Sequence, residues 1–349
     1  MTEPLRIVYF LEDTDLAGGI RVAVAHADAL IERGHDVTLA TKGGPLTWRG
    51  SRAKWLYVDE WSEVDLAPFE FVVGTFWKTL FATHALAADR AIHLCQGYEG
   101  SFTAYAQLKD QIDEAYRLPM PKITVSPHLV DICRAFYDDA TYIGQIVDDV
   151  FYQPHAAHAG PPRVLLVGPA QADFKGIDVG YDAVRHARSR GAEFELIRVS
   201  QWVPAPGEPT DLAAEFHVAL DSQQMARLMA SCDIFLGPSR HQEGFGLPAA
   251  EALASGLTCV LSEIPSFLSW FSGAPAPSPV RAGEGAGAPL FTPEDDAAAM
   301  GDALVKAIEN PIASREVVEQ FRAARTGERL ERYFMERRRA RERTYSGGR

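Results

Sequence analysis

Two α/β domains, each a doubly wound parallel sheet with helices on both faces, are the fold class this sequence predicts, and three observations carry the prediction. RIVYFLE (Arg6 to Glu12) and RVLLVG (Arg163 to Gly168) open the two halves of the chain alike: a buried strand, a glycine-bearing loop, a helix, then a second strand. Between them YQPHAAHAGPPR, rich in Pro, Ala and Gly and without hydrophobic period, reads as a linker at about residues 152 to 163. The 349 residues, 47% of them apolar, supply two cores at the usual ~100–200 residues per domain. The expected division is 1–155 and 156–325, with a charged helix at about 326–349 that is free to pack back on the first domain.

In chain order, DLAGGIRVAVAHADALIERG gives a glycine-containing turn into a helix whose Ile20, Val24, Ala27 and Ile31 share a face, with Gly34 as its stop. HDVTLAT follows as a strand, then EFVVGT (Glu70 to Thr75), a helix around Leu80 to Ala88 and the strand Ala91 to Cys95, so βαβ units continue. The second half predicts a helix from about Asp178 to Arg190 and a strand from Glu193 to Ser200. SQQMARLMASCDIFLGPS then gives helix and strand, and HQEGFGLPAAEALASGLTCVLSEIP gives loop, helix and strand. Residues Ser272 to Pro289 read as loop, and the closing helix, with eight Arg against four Glu, reads as a solvated charge run.

Composition narrows the function classes. A net charge of −13 repels phosphate backbones and anionic leaflets, which argues against nucleic acid and against stable attachment to membrane; small molecules become the expected partners. Cys95, Cys133, Cys232 and Cys259 form no CxxC pair and have no His-x-x-His companion, so neither a zinc site nor a redox motif is legible. The apolar stretch Ile7 to Leu11 is too short for a signal peptide and no uncharged run reaches spanning length, so a cytoplasmic protein is expected. Asp138-Asp139, Asp148-Asp149 and Asp295-Asp296 read as solvated turn acids, and no metal or cofactor is assigned.

The chemistry is concentrated in Glu243-Gly244-Phe245-Gly246-Leu247-Pro248-Ala249-Ala250-Glu251. Pro248 suits the first turn of a helix and Gly256 its stop, so a short helix starts at the end of a glycine-bearing loop after the strand IFLG. Backbone N–H groups and dipole at such a start favour an anion, and glycine lets a diphosphate approach. Glu243 in the loop and Glu251 in the first helical turn bracket one ligand, unless Glu251 only complements the helix dipole and Glu243 faces solvent.

PSRHQEGFGLPAAEALASGLTCVLSEIPSF closely resembles the donor-site signature of retaining glycosyltransferases of family 4, whose GT-B fold is two Rossmann-like domains facing across a cleft. LAGGI resembles the family's first glycine loop, KITVS (Lys122 to Ser126) the strand before its linker, IVDDVFYQP its interdomain turn and FKGID its phosphate-lysine segment. The resemblance implies transfer of a sugar from a nucleoside-diphosphate sugar, with retention, by a metal-independent front-face mechanism. By the same resemblance Glu251 takes the donor ribose hydroxyls and Glu243 lies near the transferred sugar. Gly244, Phe245, Gly246 and Leu247 contact sugar hydroxyls and phosphate through the backbone, Lys175 is the diphosphate cation, and Gly18 and Gly19 approach the phosphate.

The chain departs from the family at Pro169, where relatives carry an Arg, and GPAQADFKG is one residue longer. Arg198 is the candidate substitute, with a surface arginine as its other reading. The His that relatives carry just after the strand Ala91 to Cys95 aligns, within AIHLCQGYEG, with Gln96, so Gln96 and Glu99 are the acceptor-side candidates, unless they only shape the loop; His93 reads as core and His241 as a solvent-facing loop residue. Residues 1 to 155 hold 13 basic against 22 acidic side chains, which favours a soluble glycan, natural-product or protein acceptor over a lipid-linked one. A non-catalytic nucleotide-sugar-binding subunit and a GT-B-fold sugar-nucleotide epimerase are the competing readings. An NAD dehydrogenase is weaker, because neither half shows G-x-G-x-x-G with an acid about twenty residues on.

Overall fold

The structure, a computed structural model, describes residues 3–15, 18–153, 160–272, 289–312 and 315–346. The chain forms two units, residues 1–146 with 321–349, and residues 147–320.

In the first unit β1 (Arg6–Leu11), β2 (Asp36–Thr41), β3 (Lys54–Tyr57), β4 (Phe71–Gly74), β5 (Ala91–Cys95), β6 (Lys122–Thr124) and β7 (Ala140–Tyr142) form a sheet in the order β3-β2-β1-β4-β5-β6-β7. Every pairing is parallel, with Ile7 opposite Val37 and Val8 opposite Val72. Ile7 to Leu11 are fully buried, the unbroken apolar run expected of a strand covered on both faces. The crossovers carry α1 (Gly18–Glu32), α2 (Trp77–Ala87), α3 (Lys109–Arg117) and α4 (His128–Arg134). Strand order reverses between β1 and β4, which places the loops after those strands at a topological switch point.

The second unit repeats the plan with β8 (Arg163–Val167), β9 (Glu195–Ser200), β10 (Glu215–Val218), β11 (Ile234–Gly237), β12 (Thr258–Ser262) and β13 (Leu290–Thr292), ordered β10-β9-β8-β11-β12-β13 and parallel throughout. Its helices are α5 (Ile177–Ser189), α6 (Ser222–Ala230), α7 (Leu247–Ser255), α8 (Pro265–Ser272) and α9 (Ala297–Glu309). Leu166, Leu196, Leu236 and Val260 of the strands pack against Ile177, Tyr181 and Val184 of α5 and Met300 and Leu304 of α9. Truncating one such leucine to alanine costs about 2–5 kcal/mol, so this layer fixes where the strand ends lie. A capping box starts α6: Gln224 N–H donates to Asp221 Oδ1 (2.8 Å) and Asp221 N–H to Gln224 Oε1 (2.9 Å).

The chain then returns to the first unit as α10 (Ala323–Ser346), three residues earlier than the sequence suggested. A Cβ on Gly327 would stand 3.3 Å from Ala29 Cβ of α1, so the two helices approach closely there. Phe334 is fully buried and packs on Phe71, with ring centroids 5.1 Å apart. The arginines of α10 are not simply solvated. Arg338 forks onto Glu70 (2.6 and 2.7 Å), Arg337 pairs with Asp139 and Arg341 with Asp89.

The units part at Ile146/Val147 rather than at 155. The 3-10 turn Asp149–Phe151 belongs to the second unit because Phe151 is fully buried and its carbonyl accepts the Ser255 hydroxyl (3.1 Å). Most of the expected linker, residues 154–159, and most of the expected loop, residues 273–288, lie outside the described residues. Four strands absent from the sequence reading, β3, β7, β10 and β13, are the outer strands of the two sheets.

Candidate functional site

In the second sheet strand order reverses between β8 and β11, and the loops after these two strands abut. After β8 comes Gly168, where a Cβ would stand 3.1 Å from Lys175 Cγ; glycine leaves room for the lysine stem over the strand end. The chain then makes the 3-10 turn Asp173–Lys175 and enters α5 through Gly176, which is left-handed (φ 59°, ψ 29°). A Cβ on Gly176 would lie 2.0 Å from the Pro238 carbonyl oxygen, so backbone contact with the β11 loop demands glycine here.

That contact brings Lys175 to Glu243. The ammonium lies 2.6 Å from Glu243 Oε2, and the Ser239 hydroxyl donates to the same oxygen (3.2 Å). Glu243 is 9% exposed at its side chain and Lys175 17%, so the pair is shielded from bulk water but not sealed. Gly244, Phe245 and Gly246 are buried, with the Phe245 ring 5.0 Å from Trp270. Gly246 caps α7 in the left-handed region (φ 85°, ψ 51°), and a Cβ there would come 2.2 Å from Phe267. With Pro248 in its first turn, α7 starts at Leu247 and stops at the left-handed Gly256. Glu251 is 1% exposed and stands in the second turn, one turn deeper than expected, because the helix begins as early as Leu247. Lys175 and Glu243 are thus brought together at the ends of β8 and β11, and the Gly244–Leu247 stretch and Glu251 follow Glu243 into α7.

Arg198 is not a surface group. It is fully buried, its Nε donates to Glu208 Oε1 (3.0 Å), and its Nη1 donates to the carbonyls of Leu166 (3.3 Å) and Val199. Glu208 also accepts the Tyr181 hydroxyl (3.0 Å), so the arginine ties the loop after β9 to the sheet.

Arg240 escaped the sequence reading. Its backbone N–H donates to the Phe174 carbonyl (2.8 Å), Nη2 to Asp178 Oδ2 (2.9 Å), Nε to Asp295 Oδ1 (2.7 Å) and Nη1 to the Asp173 carbonyl. The only signal was its place immediately between strand and glycine loop, with two acids flanking Lys175. The neighbouring His241 is exposed and meets Glu294 (2.8 Å).

In the first unit Gly18 and Gly19 are the first residues of α1. Gly19 lies against the Gln96 amide, 3.4 Å from its would-be Cβ, and Gln96 Nε2 donates to the Thr75 carbonyl (3.0 Å). Glu99 Oε2 accepts the Tyr116 hydroxyl (2.5 Å), and its carboxyl also takes the Trp77 backbone N–H at the start of α2. Burial pushes this carboxyl up to about 7, against the pull of those hydrogen bonds. His93 is a core residue, edge-on to Tyr116 (4.8 Å), and burial with Lys122 beside it holds its pKa well below the usual value. The acidic pairs are in structural use: Asp139 meets Arg337, Asp295 meets Arg240, and Asp296 caps α9. Among the described residues no three His, Cys, Asp or Glu side chains converge as metal ligands, and no helix is long and apolar enough to cross a membrane.

Residues 161–310 match the family described as Glycosyl transferases group 1. Over 200 residues, 55% of this chain and 50% of the relative, the sequence is 29% identical to the phosphatidyl-myo-inositol mannosyltransferase of Mycobacterium tuberculosis. Over 126 residues, 33% of this chain and 29% of the relative, it is 32% identical to the MMP alpha-(1->4)-mannosyltransferase of Mycolicibacterium hassiacum. The match thus spans at most about half the length of these curated relatives. Among solved structures, Anabaena Alr3699/HepE in complex with UDP-glucose superposes with a TM-score of 0.73 at 12% identity, covering 95% of this chain and 100% of that one. The fold is GT-B, two Rossmann-like α/β units.

Proposed function

We propose that this chain is a retaining glycosyltransferase that moves a sugar from a nucleoside-diphosphate sugar to an acceptor hydroxyl by a metal-independent front-face mechanism. The observation that carries the reading is the Lys175–Glu243 pair, 2.6 Å apart, at the strand reversal beside the start of α7. Breaking the anomeric C–O bond builds negative charge on the leaving diphosphate, and the Lys175 ammonium with the helix start supplies fixed positive potential where that charge grows. Glu251 accepts the donor ribose hydroxyls, and Glu243 faces the sugar. The departing phosphate oxygen takes the acceptor's proton as the acceptor oxygen bonds to the same face of the anomeric carbon, so no side chain becomes covalently attached. That separates the reaction from two-carboxylate retaining hydrolysis. Gln96 and Glu99 serve the acceptor.

Both curated relatives are named as mannosyltransferases, which makes a nucleotide-activated mannose the first donor to try. The acidic first unit favours a soluble glycan, natural product or protein as acceptor, and the four free cysteines suit a cytoplasmic setting. A second reading, a donor-binding subunit without turnover, draws on Pro169 and on the internal engagement of Arg198, which leave the diphosphate one cation short of the family pattern. A thermal-shift screen across nucleotide sugars identifies the donor, since a ligand of the folded state raises the melting temperature. NMR of the transferred anomeric centre then reads stereochemistry. Inversion sinks the front-face reading, and binding without turnover favours the subunit.

A further inference from the structure

We propose that Arg240 is a positioning residue for Lys175, holding the loop that carries the ammonium while making no contact with the ligand itself. The proposal rests on the reading of Lys175 as the diphosphate cation. The segment around Lys175 has little packing to fix it: Gln171 and Asp173 are exposed, and Ala172, Phe174 and Lys175 are half-buried. Glu243 takes the ammonium, and polar ties set the backbone that carries it there; Arg240 supplies those ties on both sides of the lysine. Its main chain and Nη1 hold the carbonyls of Phe174 and Asp173, just before the lysine, and its Nη2 holds Asp178, three residues after it in the first turn of α5. Its Nε is taken by Asp295, just ahead of α9. One guanidinium thus joins the loops after β8, β11 and β13.

The same geometry argues against a ligand role. Nε, Nη1 and Nη2 are all engaged with protein oxygens, two of them carboxylates, and the side chain is 20% exposed. An anion arriving there would have to displace these carboxylates. A lysine cannot substitute, because a single ammonium does not span three acceptors set out in a planar fork.

The test is a double-mutant cycle on inorganic pyrophosphate binding to the full chain, by calorimetry, with thermal melting of every variant alongside. Arg240→Ala is expected to weaken pyrophosphate about tenfold when Lys175 is present and less than about twofold in a Lys175→Ala background, because a misplaced ammonium no longer matters once it is gone. Arg240→Lys should restore little. Asp178→Ala should also weaken binding, although deleting a nearby negative charge would by Coulomb's law alone strengthen it. Equal weakening by Arg240→Ala in both backgrounds, no weakening, or tighter binding in Asp178→Ala overturns the proposal. If Lys175→Ala leaves pyrophosphate affinity unchanged, the phosphate site itself is wrong. If Lys175→Ala weakens it and Arg240→Ala does not, only the positioning role fails.

Discussion

Glu99 makes the stability of this protein depend on pH in a direction opposite to that of most carboxylates. Its carboxyl is raised from 4.5 to about 7 by burial, so the folded state binds a proton over a range in which the unfolded chain has already released it. The stabilisation is therefore complete below about pH 4.5 and is lost as pH rises through 7. At 1.36 kcal/mol per pH unit the shift corresponds to about 3 kcal/mol. Glu99→Gln mimics the protonated form, keeping an acceptor for the Tyr116 hydroxyl and the Trp77 N–H. His26 and His128, buried with pKa values lowered to about 4, titrate in the opposite sense: their contribution is present above 6.5 and lost as pH falls toward 4. The measurement is accordingly a difference, with urea unfolding of wild type and Glu99→Gln compared from pH 4 to 8, so that the histidines cancel. The variant should gain on wild type by about 3 kcal/mol between pH 4.5 and 7.5, the gain levelling off above that. A difference that stays flat across the range would refute the argument and return Glu99 to an ordinary carboxylate.

Lys175→Ala should cut turnover by about 10²–10³ and affect donor binding less, because charge on the leaving diphosphate is largest in the transition state. If Arg198→Ala destroys turnover at an unchanged melting temperature while Lys175→Ala is tolerated, the diphosphate cation is on β9. Glu251→Ala should weaken nucleoside-diphosphate binding by about 1.5–3 kcal/mol, read by calorimetry, and Glu251→Gln by less; unchanged affinity would place the ribose elsewhere. EDTA should leave transfer intact, and loss of activity rescued by magnesium or manganese would overturn metal independence.

The sequence announced the middle of each sheet and not its edges. β1, β8, β11 and β12 are mostly buried and each carries at least three consecutive apolar residues, whereas the outer strands β3 (Lys54–Tyr57) and β10 (Glu215–Val218) are half-buried or exposed and only four residues long. Such strands form because a neighbour offers its hydrogen bonds, which no local pattern reveals. Around the candidate site, residues fixed by local backbone chemistry were legible: Gly246, Pro248 and Gly256 mark the ends of α7 by conformations that few other residues adopt. Arg240 and the true setting of Arg198 were not, because their partners, Asp295 and Glu208, lie 55 and 10 positions away and meet them only after the loops have folded. A charged residue read from sequence shows its sign but not whether that charge is already engaged.

The return of α10 to the first unit has a consequence for the order in which the protein is made. Residues 147–320 are one uninterrupted stretch with their own sheet and core, so that unit has all its parts before residue 321 leaves the ribosome. The first sheet emerges earlier, but the helix that covers α1 and engages Glu70, Asp89 and Asp139 arrives only after the whole second unit has been synthesised. Until then the face of α1 around Ala29, with Phe71, stands exposed on a nascent chain, the period in which such surfaces invite aggregation or a chaperone. Of the two units, the one that emerges first is thus completed second.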